Sequence, residues 1–175
     1  MKTLIFLLGV ATFAFSPQAA ATEVGTSRVA GAGFSIGEPT GIVGKLFIGQ
    51  ENAIDAGISL YRAYGYCQDN GRNKFDRCSG GSSLGLNVDY LWQYNLLAGA
   101  FRLDWHIGAG GRVWIWSSDR NSGDFALAAR MPVGLDFMPP KPDILEVFLE
   151  LTPTFYVAPG TALDVEGAIG VRFYF

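Results

Sequence analysis

The stretch LDVEGAIGVRFYF, residues 163–175, governs how the rest of the chain is read. Leu163, Val165, Gly167, Ile169, Val171, Phe173 and Phe175 alternate with Asp164, Glu166, Ala168, Gly170, Arg172 and Tyr174. Successive side chains of an extended backbone point to opposite sides, so a period of two gives a strand with one greasy face and one charged or small face. A helix would scatter both sets around its circumference.

The same alternation recurs upstream. Residues 144–157 set Leu145, Val147, Leu149, Leu151, Phe155 and Val157 against Glu146, Phe148, Glu150, Thr152, Thr154 and Tyr156. Residues 125–137 carry Phe125, Leu127, Ala129, Met131, Val133, Leu135 and Phe137 on the apolar side, with Arg130 and Asp136 opposite. Residues 102–116 place Leu103, Trp105, Ile107, Val113 and Ile115 against Arg102, Asp104, His106 and Arg112. Segments at about 29–37, 41–49, 54–63 and 84–93 complete a set separated by Gly, Pro, Asn, Asp and Ser clusters. The spacing predicts an all-β fold: a closed, antiparallel, up-and-down transmembrane β-barrel of about eight strands.

Residues 1–21 read differently. Lys2 supplies a positive charge, an apolar run follows from Leu4 to Phe15, and Ala19-Ala20-Ala21 offers small residues for cleavage. The run is shorter than the roughly 20 residues a helix needs to cross a bilayer. Residues 1–21 are therefore predicted to be a secretory signal peptide and 22–175 a single outer-membrane barrel domain. No apolar run of helical spanning length follows.

Net charge is −3, with no basic patch to neutralise phosphates, so nucleic acid is not an expected partner. Hydrophobic residues make up 49% of the chain and aromatics 14%, more than a disordered chain carries. Cys67 and Cys78 flank a polar stretch in a chain predicted to leave the reducing cytoplasm, and a disulfide between them is expected. In the chain-entropy model, closing so short a loop contributes on the order of 3 kcal/mol. Two cysteines and a distant His106 do not make a tetrahedral zinc set, and no metal or cofactor is expected.

Alternation also fits a soluble barrel with an apolar, ligand-holding interior. The charges discriminate. Lys45, Arg102, Arg112, Arg130 and Arg172, with Asp55, Asp89, Asp104, Asp136, Glu146, Glu150, Asp164 and Glu166, share the face opposite the aliphatic one. That face also holds Gly31, Gly33, Gly57, Gly108, Gly110, Gly134 and Gly170, which suit a crowded interior better than a soluble exterior. Turned to lipid, each mid-bilayer Arg or Lys would cost roughly 2–4 kcal/mol. The charges are thus predicted to form a lumenal network, with outer-membrane lipid against the aliphatic face.

Aromatics near segment ends suggest interfacial girdles: Tyr61, Tyr64 and Tyr66; Trp114 and Trp116; Tyr90, Trp92 and Tyr94; and Phe173, Tyr174 and Phe175. Pro132 and Pro153 fall within strands and predict bulges. Longer outward excursions are expected at the polar stretch between Cys67 and Cys78 and at 117–124, with short outward links at 38–41 and 158–161. Turns on the opposite side are expected at 50–53, 94–99 and 138–143.

The C-terminal Gly170-Val171-Arg172-Phe173-Tyr174-Phe175 resembles the end signature of outer-membrane barrels. In length and strand number, residues 22–175 are similar to the small OmpA-like and OmpX-like barrels. The resemblance implies insertion by the barrel assembly machinery, with Val171, Phe173 and Phe175 as the assembly signal.

No catalytic constellation stands out. His106 is the one histidine, and the closely following Ser and Asn of outer-membrane lipid A deacylases are absent after it, so an interior hydrogen-bonded role beside Asp104 is expected. The glycine run from Gly31 to Gly37 lacks the spacing and helix of a phosphate cradle. Glu146 and Glu150 are expected to pair with interior arginines rather than act as acid and base. Phe47, Tyr61, Phe148 and Tyr156 add bulk to the lumen. A plugged barrel of structural or surface-interaction role is expected, with the loop between Cys67 and Cys78 contacting an extracellular partner. A narrow, cation-preferring channel is the alternative, and a lipid-modifying enzyme the third reading.

Overall fold

The computed structural model describes residues 22–175 apart from 39, 62–63, 70–71, 78–82 and 119–120, with side chains described outside 61–83 and 116–124. The predicted signal peptide and the Cys67 to Cys78 bridge lie outside these residues. All regular elements among the described residues are strands: β1 Ala30–Gly37, β2 Thr40–Phe47, β3 Asn52–Tyr61, β4 Tyr64–Asp69, β5 Arg72–Arg77 and β6 Ser83–Ala98. They continue as β7 Arg102–Ser118, β8 Asn121–Arg130, β9 Val133–Met138, β10 Leu145–Ala158 and β11 Ala162–Tyr174.

Sequential antiparallel pairing runs β1, β2, β3, β6, β7, then β8 with β9, then β10 and β11, and β11 pairs back onto β1. Closure is fixed by Gly31 opposite Tyr174 and Gly37 opposite Ala168. Both β8 and β9 pair with β7 on one side and β10 on the other, so together they are one interrupted strand and the ring has eight staves. A closed ring leaves no open strand edge along its wall.

The interruption falls at Met131 and Pro132 without the predicted bulge. Gly110 opposes Arg130 and Ile107 opposes Val133, a register that carries straight across the gap. Against β10, Arg130 opposes Thr154 and Val133 opposes Leu151, again with no inserted residue. The cause is a loss of donors. Gly108 N–H donates to Pro132 O at 2.8 Å and Met131 N–H to Pro153 O at 3.0 Å, but neither proline returns the reciprocal bond of such a pair. Register shifts occur instead near strand ends, between Asn95 and Leu97, and between Tyr156 and Ala158.

Other boundaries also differ from expectation. β6 continues through Ala98, so the turn predicted at 94–99 is the short link to Arg102. The excursion predicted at 117–124 is mostly strand, because β7 reaches Ser118 and β8 starts at Asn121. The polar stretch after Cys67 holds part of a separate two-stranded hairpin, β4 with β5, in which Cys67 opposes Lys74.

Burial follows the alternation. In β9 and β10, outward residues are exposed apolar side chains such as Leu135, Leu149, Leu151 and Phe155, while Asp136, Phe148, Glu150 and Thr152 are enclosed. Among the described residues, no strand of the ring presents a charged side chain on its outer face. Glycines make the inside fit. Gly134 lies opposite His106, Gly170 opposite Phe148, Gly31 opposite Tyr174 and Gly85 opposite Trp114. In each pair a Cβ on the glycine would strike the partner's ring, so the large side chain lies flat across the neighbouring strand.

Candidate functional site: the lumenal charge network

The enclosed face brings nine ionisable groups into one continuous chain. Asp55 pairs with Arg172, which also pairs with Glu146. Glu146 Oε2 lies 3.1 Å from Lys45 Nζ, and the same ammonium lies 2.9 Å from Asp136 Oδ2. His106 Nδ1 is 2.9 Å from that Asp136 oxygen, and its Nε2 is 3.6 Å from Glu150. Arg130 Nη2 reaches Glu150 at 3.2 Å, and its Nε lies 3.7 Å from Asp89.

These residues come from β2, β3, β6, β7, β8, β9, β10 and β11, so the chain ties together every stave except β1. The contribution of β1 is room: its enclosed positions are Gly31, Gly33 and Ser35. Neutral side chains complete the network. Gln93 Nε2 donates to Asp136 at 2.6 Å, Tyr174 Oη to Glu146 at 2.9 Å, Asn87 Nδ2 to Asp89 at 3.1 Å and Thr152 Oγ1 to Glu150 at 2.8 Å. The Arg172 guanidinium also lies over the Phe148 ring, 3.8 Å from its centroid.

Two further pairs flank the chain. Arg112 pairs with Glu166 and lies beside the Trp114 ring, where Trp114, Ala126, Ala128 and Tyr156 cluster in the half of the lumen away from Thr22 and Phe175. At the other mouth, Arg102 pairs with Asp104 at 2.6 Å, and Asn95 Nδ2 donates to Asp104 at 2.8 Å.

Of the predicted network, Lys45, Asp55, Asp89, Arg112, Arg130, Asp136, Glu146, Glu150, Glu166 and Arg172 are enclosed, as is Asp104; Arg102 is partly exposed at the mouth. Asp164 stands at the far rim, where its carboxylate accepts the Val165 N–H at 2.8 Å. His106 is enclosed, but its partners are Asp136 and Glu150 rather than Asp104. Trp114 and Tyr174 are fully or nearly fully buried in the lumen and belong to no outer girdle. Each shares strand parity with a charge, Arg112 and Arg172, and parity outweighs position near a strand end. On the outer wall, Tyr90 meets Trp92 at 5.0 Å and Tyr94 stacks on Trp105 at 4.8 Å, while Phe34, Phe125 and Phe155 are exposed towards the other rim. Phe47, Phe148 and Tyr156 lie inside; the Tyr61 side chain is outside the described set. Val171 and Phe173 face outward in β11.

Acid and base alternate along the chain, and each buried charge faces an opposite one, which is the condition for holding ions in a low-dielectric interior. Among the described residues, no group of three or more His, Cys, Asp or Glu is disposed to hold a metal ion.

No protein-family model matches the sequence, and neither does any curated protein. Among solved structures, the crystal structure of the N-terminal β-barrel domain of Pseudomonas aeruginosa OprF aligns with a TM-score of 0.59 at 13% identity, covering 84% of this chain and 96% of that one. The chain therefore shares the fold of that barrel domain, here an antiparallel ring of eight staves.

Proposed function

We propose that the chain is an integral protein of the bacterial outer membrane, with a plugged, ion-paired lumen and a structural or surface-interaction role. The observation that carries this reading is the division of the wall: among the described residues the outer face of the ring carries no charge and is lined by apolar side chains, and the nine-group chain of charges is enclosed and paired. In water such a face would be a large exposed apolar patch, whereas in a bilayer it meets its own kind. The fold shared with the OprF barrel domain supports the same location. The mouth near Thr22 and Phe175 would face the periplasm, and the β4–β5 hairpin would project outward to meet a cell-surface partner.

An eight-stranded ring has an interior only just wide enough for side chains. The nine-group chain and the Trp114 cluster place buried side chains across it at two levels. Reconstitution into planar bilayers is expected to give no stable conductance steps, while the folded protein migrates faster unheated than boiled on a detergent gel. Regular steps would overturn the plugged lumen in favour of a narrow channel. The excess of lumenal carboxylates over bases would then give cation preference. A chain that stays folded and soluble without detergent would overturn the membrane reading altogether.

A further inference from the structure

Residues 22–29 belong to no stave of the ring. They form a tight turn closed by Gly25 N–H to Arg28 O at 2.8 Å, with Thr26 and Arg28 N–H both donating to Glu23 O at 3.1 Å. Gly25 takes φ 76°, a conformation that favours glycine, and a side chain there would also meet the Phe47 ring. Glu23 and Arg28 pair at 3.1 Å on the exposed side of the turn.

The turn aims Val24 into the mouth of the barrel. Val24 is 0% exposed and packs in a cluster with Phe47, Ala53, Leu91, Met138 and Tyr174. Along their strands, Phe47, Met138 and Tyr174 stand one enclosed position closer to the mouth than Lys45, Asp136 and Arg172. An apolar layer therefore lies directly beneath the ion chain. The turn is also latched: Arg102 Nη1 donates to Val24 O at 3.0 Å while its Nε holds Asp104 at 3.0 Å, and Thr22 Oγ1 donates to Asp143 O at 3.3 Å.

We propose that residues 22–29 are a stopper: Val24 completes an apolar seal that bars water and small solutes from the ion chain, and Arg102 is the latch that holds it shut. Apolar constrictions exclude ions by dewetting. Paired charges also attract more strongly when water is kept out. The inference rests on the plugged-lumen reading and deepens it, because it names the segment that closes the mouth.

The test is thiol accessibility of Met138→Cys, in a background with Cys67→Ser and Cys78→Ser, to a small charged methanethiosulfonate reagent applied to the folded full chain. With the native turn, labelling is expected to be slow. Arg102→Ala removes the latch, and Val24→Asp places a carboxylate in the apolar cluster. Each is expected to speed labelling by about tenfold or more: the first loses a charge-assisted hydrogen bond, and the second sets an unpaired carboxylate among apolar side chains. A second reporter, Ala126→Cys in the far half of the lumen, should label at an unchanged rate. Gel mobility before and after boiling confirms that each variant is still a barrel; if one is not, the other decides. Fast labelling of Met138→Cys behind the native turn, or no acceleration in the folded variants, would overturn the stopper. Conductance by the unmodified protein would overturn the plugged lumen instead, so the two failures are separable.

Discussion

Arg172 is the residue on which the lumenal chain turns, since its guanidinium holds Asp55 and Glu146 together and covers the Phe148 ring. Replacing a buried ion pair as a whole is often tolerated, but removing one partner strands the others without water or counter-charge. Arg172→Met should therefore destabilise the barrel by about 3–5 kcal/mol, the range for breaking a buried pair from one side. Adding Asp55→Asn to Arg172→Met removes the carboxylate left without its ion-pair partner and should recover part of that loss, while Glu146 stays paired with Lys45. Urea unfolding in lipid vesicles measures both, and a loss of less than about 1 kcal/mol, the value typical of exposed pairs, would show these charges to be hydrated. Parity alone named most of this set, because a period of two fixes the face of every strand residue. It could not name partners, which depend on how far each stave is staggered around the ring. His106 illustrates the gap: Asp104 is its nearest acid along the same face of the chain, yet its ring meets Asp136 and Glu150.

At the level of strands, the enclosed glycines are the counterpart of the large enclosed side chains. Gly134 is the sharpest case, since a Cβ there would meet both the His106 imidazole and the Leu149 carbonyl. The ring can rotate away only by leaving Asp136 and Glu150, and the backbone carbonyl cannot retreat without disturbing the β9–β10 ladder. Gly134→Val should therefore cost about 1–3 kcal/mol, the usual range for overpacking. Gly167→Val, on the outer face with only a Leu151 methyl nearby at 3.4 Å, should be nearly neutral. Comparing their urea midpoints tests the distinction, and equal losses would mean that strand propensity rather than lumenal crowding sets the cost. The strands themselves were legible wherever one face was greasy. The β4–β5 hairpin was not: its sequence, YGYCQD and RNKFDR, shows no apolar face because it pairs outside the ring. The prolines were legible as ladder breakers but not as in-register ones, since a lost donor and an inserted residue look alike in sequence.

For the molecule as a whole, the apolar wall admits a comparison that separates the bilayer from water as the surrounding solvent. Val88, 59% exposed in β6, faces outward two positions from Tyr90, whereas Leu163, 69% exposed, stands at the opposite rim near the start of β11. In water, an arginine at either position would be a surface change worth less than about 0.5 kcal/mol. In a bilayer the two should differ. A charge near the midplane costs roughly 2–4 kcal/mol, and one near the interface about 0–1. Val88→Arg is therefore expected to lower stability in vesicles by several-fold more than Leu163→Arg, while the two variants should be alike in detergent micelles that adapt to the charge. Urea titrations of both variants in both media supply the comparison. If Val88→Arg proves as harmless as Leu163→Arg in vesicles, the aliphatic wall is not facing acyl chains, and neither the enclosed charges nor the sealed mouth can be explained by a membrane around them.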